Sequence, residues 1–208
     1  MKMKNMLIGG MSLALVACIS VGATLAYLTD KTGPVTNTFY GSAGIKMTLD
    51  EAPVDPNTGK VTIGDRRTQN TYNNITPNAE VDKDPTVHMV TVPATGADLF
   101  VRVSGVTSEM QITMEIDWNK VANVDGSTDL DGTVNGIYKW NGAEITTAGN
   151  YLVFDGVTFT NYDVSDGTTK TFTPIEVVAY AVQNDNLTGT DTTQSLAINA
   201  LKVVNPGA

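Results

Sequence analysis

The sequence has few of the residues on which disulfide frameworks and many active sites depend. It contains one cysteine, Cys18, and one histidine, His88. No disulfide can form within a single chain, and imidazole-based catalysis has one candidate. Basic residues are also scarce, because 13 Lys and Arg stand against 22 Asp and Glu, a formal net charge of -9. Nucleic acids and anionic membrane surfaces are therefore poor partners for this chain.

Threonine and asparagine are abundant instead, with 30 and 17 residues among 208. Threonine favours strands and asparagine favours turns, which indicates a β-rich chain. The hydrophobic fraction of 41% is enough to fill a core. Length and composition together predict one globular domain, or at most a small pair.

The N-terminus has the pattern of an export signal. Two lysines precede an uncharged apolar segment at residues 6–26, as in secretory signal peptides. The small residues Thr24 and Ala26 fit the -3 and -1 positions of a signal-peptidase site. We predict cleavage between Ala26 and Tyr27, which gives a secreted mature chain that lacks Cys18.

Two alternatives to this cleavage remain open. Leu15-Val16-Ala17-Cys18 has the spacing of a lipoprotein box, in which the thiol of Cys18 would be lipidated. Against this, a lipidated cysteine usually ends the apolar segment, whereas residues 19–25 continue it. The segment is also about long enough to stay in the membrane as an uncleaved anchor.

Alternation of apolar and polar residues predicts several half-buried antiparallel strands. The clearest windows are residues 45–50, 99–104 and 111–118. Further strand candidates are residues 87–92, 136–140, 151–154, 157–162 and 175–183, separated by Asp-Gly, Asn-Gly and Gly-Thr turns. The number of short strands predicts an all-β, antiparallel sandwich.

Three other segments have distinct patterns. Residues 175–182 are apolar on both faces except at Glu176, which indicates a central strand covered on both sides. Residues 192–203 have apolar spacings of four and three after capping residues, which predicts one short helix. Residues 53–78 contain few apolar side chains and are expected to form a long surface excursion. In this excursion, Arg66-Arg67 is read as solvated charge, with a dibasic processing site as the alternative.

Three blocks of the chain resemble the TasA/camelysin family of Gram-positive bacteria. They are GATLAYLTD at 22–30 with TNTF at 36–39, ITPNAEVDKDPTV at 75–87 with LFVRV at 99–103, and VVAYAVQ at 177–183. The blocks follow the family's order and cover less than a quarter of the chain. The chain departs from the family at Asn78, where Gly is usual, through residues 121–149, and at residues 196–198, where an aromatic is usual.

The resemblance implies a jelly-roll-like β-sandwich with one or two short helices, exported through a dedicated SipW-type signal peptidase. It also implies biofilm-matrix fibres, in which an N-terminal segment of one subunit adds a strand to the next. The expected parts are a signal peptide at 1–26, a possible donor segment at 27–40 and a sandwich domain at 41–208. The residues that the resemblance implies in assembly are Tyr27, Leu28, Val35, Thr38 and Phe39.

Recognisable catalytic motifs are absent from the sequence. His88 alternates with apolar neighbours and has no helical His-Glu-x-x-His partner, so it is expected to be a strand residue facing solvent or the sandwich rim. No Gly-x-Ser-x-Gly or aspartic-protease triplet occurs, and export removes the only thiol. We therefore expect a protein without enzymatic activity and without a cofactor.

The densest group of oxygen ligands is the segment 125–132, where Asp125, Asp129 and Asp131 are calcium candidates. Neither register of an EF-hand fits. Counting from Asp125 places Leu130 where Gly is required, and counting from Asp129 places Trp140 where a bidentate Glu is required. A solvated turn is the preferred interpretation.

These observations predict a secreted structural protein of the cell surface or biofilm matrix. Its expected partner is a second copy of itself or a related family subunit, and it meets the membrane only through the signal segment before cleavage. The first alternative is a monomeric surface adhesin or ligand-binding β-sandwich. The second is an exported, camelysin-like peptidase.

Overall fold

The computed structural model describes residues 29–31, 44–160, 162, 170–184 and 192–203. This part of the chain contains eleven strands and one helix. They are β1 (Thr29–Lys31), β2 (Lys46–Asp50), β3 (Glu80–Val81), β4 (Thr86–Thr91), β5 (Ala97–Ser104), β6 (Met110–Gln111), β7 (Trp118–Ala122), β8 (Gly136–Trp140), β9 (Gly149–Leu152), β10 (Val157–Phe159), β11 (Glu176–Gln183) and α1 (Thr193–Leu201).

The described strands form three antiparallel sheets. The largest has five strands in the order β1-β11-β5-β8-β7, and the two smaller sheets have the orders β2-β4-β9 and β3-β10-β6. The predicted all-β, sandwich-like fold is confirmed. No helix in the described ranges is long and apolar enough to cross a membrane.

Two apolar clusters cover the two faces of the five-stranded sheet. The main core joins that sheet to both smaller sheets and includes Met47, Val87, Leu99, Val101 and Phe154. The second cluster lies between the opposite face and α1, and it is formed by Phe100, Ala122, Ile137, Val178, Tyr180, Val182, Ala197 and Leu201. Burying both faces explains why β5 and β11 have apolar residues at consecutive positions.

The strand predicted at 175–183 is found as β11, and it is covered on both faces. Glu176, the polar exception, is exposed, and the other seven residues of the strand are buried. The middle of the five-stranded sheet is occupied by β5, whereas β11 lies between β5 and β1. The order of strands was not encoded in the local pattern of residues 175–182.

The predicted C-terminal helix is also present as α1. Thr192 is its N-cap, and the Thr192 hydroxyl accepts a hydrogen bond from the Ser195 backbone N–H at 3.1 Å. In return, the Thr192 backbone N–H donates to the Ser195 hydroxyl oxygen at 3.0 Å, which completes a reciprocal cap. Ala197 and Leu201 are the buried residues of its sheet-facing side.

Most of the alternating windows are strands in the structure. Residues 45–50, 87–92, 99–104 and 136–140 correspond to β2, β4, β5 and β8, while 151–154 and 157–162 overlap the shorter strands β9 and β10. In β2 the burial alternates as predicted, with Met47 and Leu49 buried and the residues between them partly exposed. Strands β1 and β3 lie outside all of these windows, and β7 shares only Trp118 with one of them.

The strand predicted at 111–118 is wrong. Only Met110–Gln111 forms a strand there, Met114 makes an isolated bridge with Phe154, and Ile116 is 92% exposed. The Trp118 backbone N–H donates to the Glu115 carbonyl at 3.0 Å, so the chain turns before β7 begins. The apolar alternation of this window therefore arose without a continuous strand.

The excursion at 53–78 has no strand or helix of its own, as predicted, but it is fastened to the sandwich. Glu51 and Arg67 form an isolated antiparallel bridge through two backbone hydrogen bonds of 2.7 Å. The Arg66 guanidinium forms ion pairs with Asp50 and Asp84. The Arg66 side chain and the Arg67 backbone therefore have structural contacts, which the interpretation of this pair as solvated charge did not include.

Candidate functional site

The outer edge of β11 is where an N-terminal strand joins the five-stranded sheet. The antiparallel pairs are Thr29 with Val182, Asp30 with Ala181 and Lys31 with Tyr180. On its other edge, β11 pairs with β5 over all eight of its residues. The strand β1 therefore covers a short part of one edge, close to the C-terminal end of β11.

The position of β11 in the sheet does not depend on β1. Alternate residues Val177, Ala179 and Ala181 belong to the main core. The intervening residues belong to the cluster beneath α1. Both faces and one edge of β11 are thus held by parts of the molecule outside the N-terminal strand.

The helix that covers this region is anchored to β5 at both ends. The Asp98 carboxylate accepts hydrogen bonds from the Thr193 hydroxyl at 2.5 Å and from Lys139 Nζ at 2.8 Å. At the other end, Arg102 Nη1 donates to the Leu201 carbonyl at 2.9 Å. A cation at a helix C-terminus is also favoured by the helix dipole.

Arg102 also contacts the exposed start of β11 through Glu176. Burial lowers the pKa of its guanidinium, and Glu176 acts in the opposite direction across a separation of 3.4 Å. Arginine stays protonated even so. Arg102 therefore fixes both the end of α1 and the first residue of β11.

All the residues implied in signal cleavage and assembly fall outside the described part of the chain. These are the cleavage residues Ala26 and Tyr27, together with Leu28, Val35, Thr38 and Phe39. The three residues that do form a strand, Thr29–Lys31, were not among the implied assembly residues. The sequence of Thr29–Lys31 shows no apolar alternation, so these residues are recognised as a strand only from their pairing with β11.

The calcium candidates lie in a loop in which two of the three carboxylates, those of Asp125 and Asp131, already have partners. The Asp125 carboxylate accepts the Ser127 backbone N–H at 2.8 Å. The Asp131 carboxylate accepts Lys120 Nζ at 2.8 Å and the Thr133 backbone N–H at 2.9 Å. These contacts lower the pKa of the Asp131 carboxyl to about 2, and the hydrogen bond from Lys120 has the largest effect.

The arrangement in this loop is that of an internally bonded turn. Asn123 Nδ2 donates to the Asp129 carbonyl at 2.7 Å, and Asn123 Oδ1 accepts the Asp131 backbone N–H at 3.1 Å. Within the described residues, no three His, Cys, Asp or Glu side chains are grouped so that they could hold a metal ion.

Chelation is therefore expected to leave the melting temperature unchanged. A site saturated at a hundred times its Kd would contribute about 2.7 kcal/mol, which is roughly 5 to 10 °C in a domain of this size. Differential scanning fluorimetry with calcium and with EDTA measures the difference. A fall of several degrees in EDTA, abolished by Asp125→Asn with Asp129→Asn, would restore the calcium interpretation.

His88 is found on a strand, as predicted, in a polar row across the sheet β2-β4-β9. Its Nε2 lies 2.9 Å from Asp50 Oδ1, and its Nδ1 lies 2.7 Å from Asn150 Oδ1. Asp50 is in turn paired with Arg66. The imidazole thus links three strands to the 53–78 excursion.

A second candidate site is a cleft of about 990 Å³ beside the first residues of β11. One wall is the irregular segment 68–75 and the other is the irregular segment 170–175. Buried residues that line it include Met110, Val157 and Phe159. Nothing in the alternation of the sequence indicated this cleft, because its walls come from segments about a hundred residues apart.

Comparison with protein-family models, with curated proteins and with solved structures gave no significant match.

Proposed function

We propose that this chain is a secreted structural protein of the cell surface or biofilm matrix. In the proposal, subunits assemble into fibres when the N-terminal segment of one subunit adds a strand to the β11 edge of the next. The partner is another copy of the chain or a related subunit. Export through a dedicated signal peptidase precedes assembly.

The observation that carries the proposal is the pairing of Thr29–Lys31 with β11. An edge strand of three residues contributes few main-chain hydrogen bonds, and the rest of the sandwich is held without it. The same hydrogen bonds can be made by the identical segment of a second molecule, so exchange costs little once the segment has left its own edge.

The alternative of a monomeric adhesin or ligand-binding sandwich is favoured by the cleft, which has the size of a small-molecule site. The peptidase alternative has no comparable support among the described residues.

Experiments on a purified chain of residues 27–208 distinguish the fibre, adhesin and peptidase functions. Size exclusion and negative-stain microscopy across protein concentration, salt and acid pH are expected to show fibres. A chain that stays monomeric throughout would favour the adhesin. Casein cleavage that is lost on adding a chelator would instead support the peptidase.

A further inference from the structure

We propose that the cleft between residues 68–75 and 170–175 binds an uncharged oligosaccharide. The proposal concerns a different surface from the strand pairing of β1 and does not depend on fibre assembly. It rests on the hydrogen-bonding groups of the two walls, on the pairing of the charged side chains that line the cleft, and on its aromatic side chains.

The first wall offers several neutral polar groups to a ligand. Gln69, Thr71 and Asn73 line the cleft and are exposed. Their side chains make no hydrogen bond to any described part of the chain. Amides donate and accept at once, which suits the adjacent hydroxyl groups of a sugar.

The opposite wall has the same chemistry. Thr171 and Thr173 line the cleft, are exposed, and have hydroxyl groups without a partner in the described residues. Exposed amides and hydroxyls on one loop would indicate only a hydrated surface. Here they border a concave space from two sides, above the buried residues Val157 and Phe159.

The ionic residues of the cleft are neutralised by partners. Lys83 Nζ lies 2.7 Å from Glu51 Oε2, and both side chains are largely buried. The remaining lining ions also have partners: Asp50 with Arg66, Lys170 with Glu109, and Glu176 with Arg102. A charged ligand would have to compete with these pairs, whereas a neutral ligand leaves them intact.

Aromatic residues also line the cleft. Phe172 is half-buried and packs on Phe159 at 4.8 Å and on Tyr162 at 5.1 Å between ring centroids. Tyr72, from the first wall, donates its hydroxyl to the Asp82 carbonyl at 2.8 Å. These rings line the cleft and add apolar surface against which the C–H groups of a sugar can pack.

The volume fits a short oligomer better than a single small metabolite. Ligand sites span about 300 to 1,000 Å³, and 990 Å³ lies at the upper end of that range. We therefore choose tetrasaccharides as probes. Cellotetraose, maltotetraose and N-acetylchitotetraose represent neutral ligands, and tetragalacturonate represents a charged one.

Isothermal titration calorimetry on residues 27–208 tests the proposal. At least one neutral tetrasaccharide is expected to bind with a Kd of about 1 mM or tighter, with little effect of added salt. The variants Gln69→Ala with Asn73→Ala, and Thr171→Ala with Thr173→Ala, alter one wall each. Each double variant is expected to weaken binding at least about tenfold.

The matched control is Asn119→Ala with Asn141→Ala, which removes two exposed amides at the β7 and β8 end of the molecule. It is expected to bind like the unaltered chain, and melting temperatures verify that all variants are folded. The proposal is overturned if no neutral probe binds, if only tetragalacturonate binds, or if both folded wall variants bind as tightly as the control.

Discussion

Deletion of residues 27–35 is expected to yield a folded monomer that no longer forms fibres. The deletion removes β1, whose contribution to the sheet is three residue pairs with β11. Eight pairs between β11 and β5 remain, as do both apolar clusters. Circular dichroism and the melting temperature should therefore stay near those of the full mature chain, while negative-stain images show no fibres.

A matched pair of substitutions separates loss of strand pairing from loss of chain length. Replacing Thr29–Lys31 with Pro-Gly-Pro removes main-chain donors and strand propensity and is expected to act like the deletion. Replacing the same residues with Ser-Glu-Arg keeps the main-chain donors and the strand propensity, and this variant is expected to assemble normally. Polymerisation of the truncated chain at the normal rate would contradict strand donation.

Ala179→Asp is expected to prevent soluble folding. Ala179 is fully buried in the main core and lies opposite Val101 in the β11–β5 pair. An unpaired carboxylate there costs several kcal/mol, against a total stability of roughly 5 to 15 kcal/mol. Soluble yield and thermal unfolding measure the effect, and Val177→Asp is expected to behave similarly.

The control for this substitution is Asn119→Asp. Asn119 is an exposed residue of β7 and lies opposite Lys139 in β8, so the new carboxylate is hydrated and near a cation. Its yield and melting temperature are expected to match those of the unaltered chain. Normal folding of Ala179→Asp would mean that β11 is not packed on both faces.

Local sequence patterns were sufficient to predict a strand or helix wherever that element has a regular environment along its whole length. Alternation identified β2 because one face of it meets the core, and continuous apolar character identified β11 because both faces are covered. The apolar spacing of residues 192–203 indicated α1, which begins at Thr193 with Thr192 as its N-cap, one residue later than predicted. In each case the burial of a side chain follows from its position in the repeat.

Features that depend on distant partners were not predictable from such patterns. Residues 112–117 alternate without forming a strand, because the turn from Glu115 to Trp118 interrupts pairing. The partner of Thr29–Lys31 lies about 150 residues away in the chain. The cleft likewise joins residues 68–75 to residues 170–175, and no local signal relates two such segments.

Cysteine cross-linking tests the central claim of strand exchange most directly. Thr29 and Val182 are directly opposite one another, and opposite residues of antiparallel strands have Cα atoms about 4.5 to 5.5 Å apart, within reach of a disulfide.

With Cys18 removed by the predicted cleavage, a Thr29→Cys chain and a Val182→Cys chain each carry one thiol. The two are mixed, assembled and oxidised, and non-reducing electrophoresis separates the products. We predict a disulfide-linked dimer containing one chain of each kind, formed in fibres and absent from unassembled monomers. Fibres that assemble from the mixture without this dimer would contradict the account.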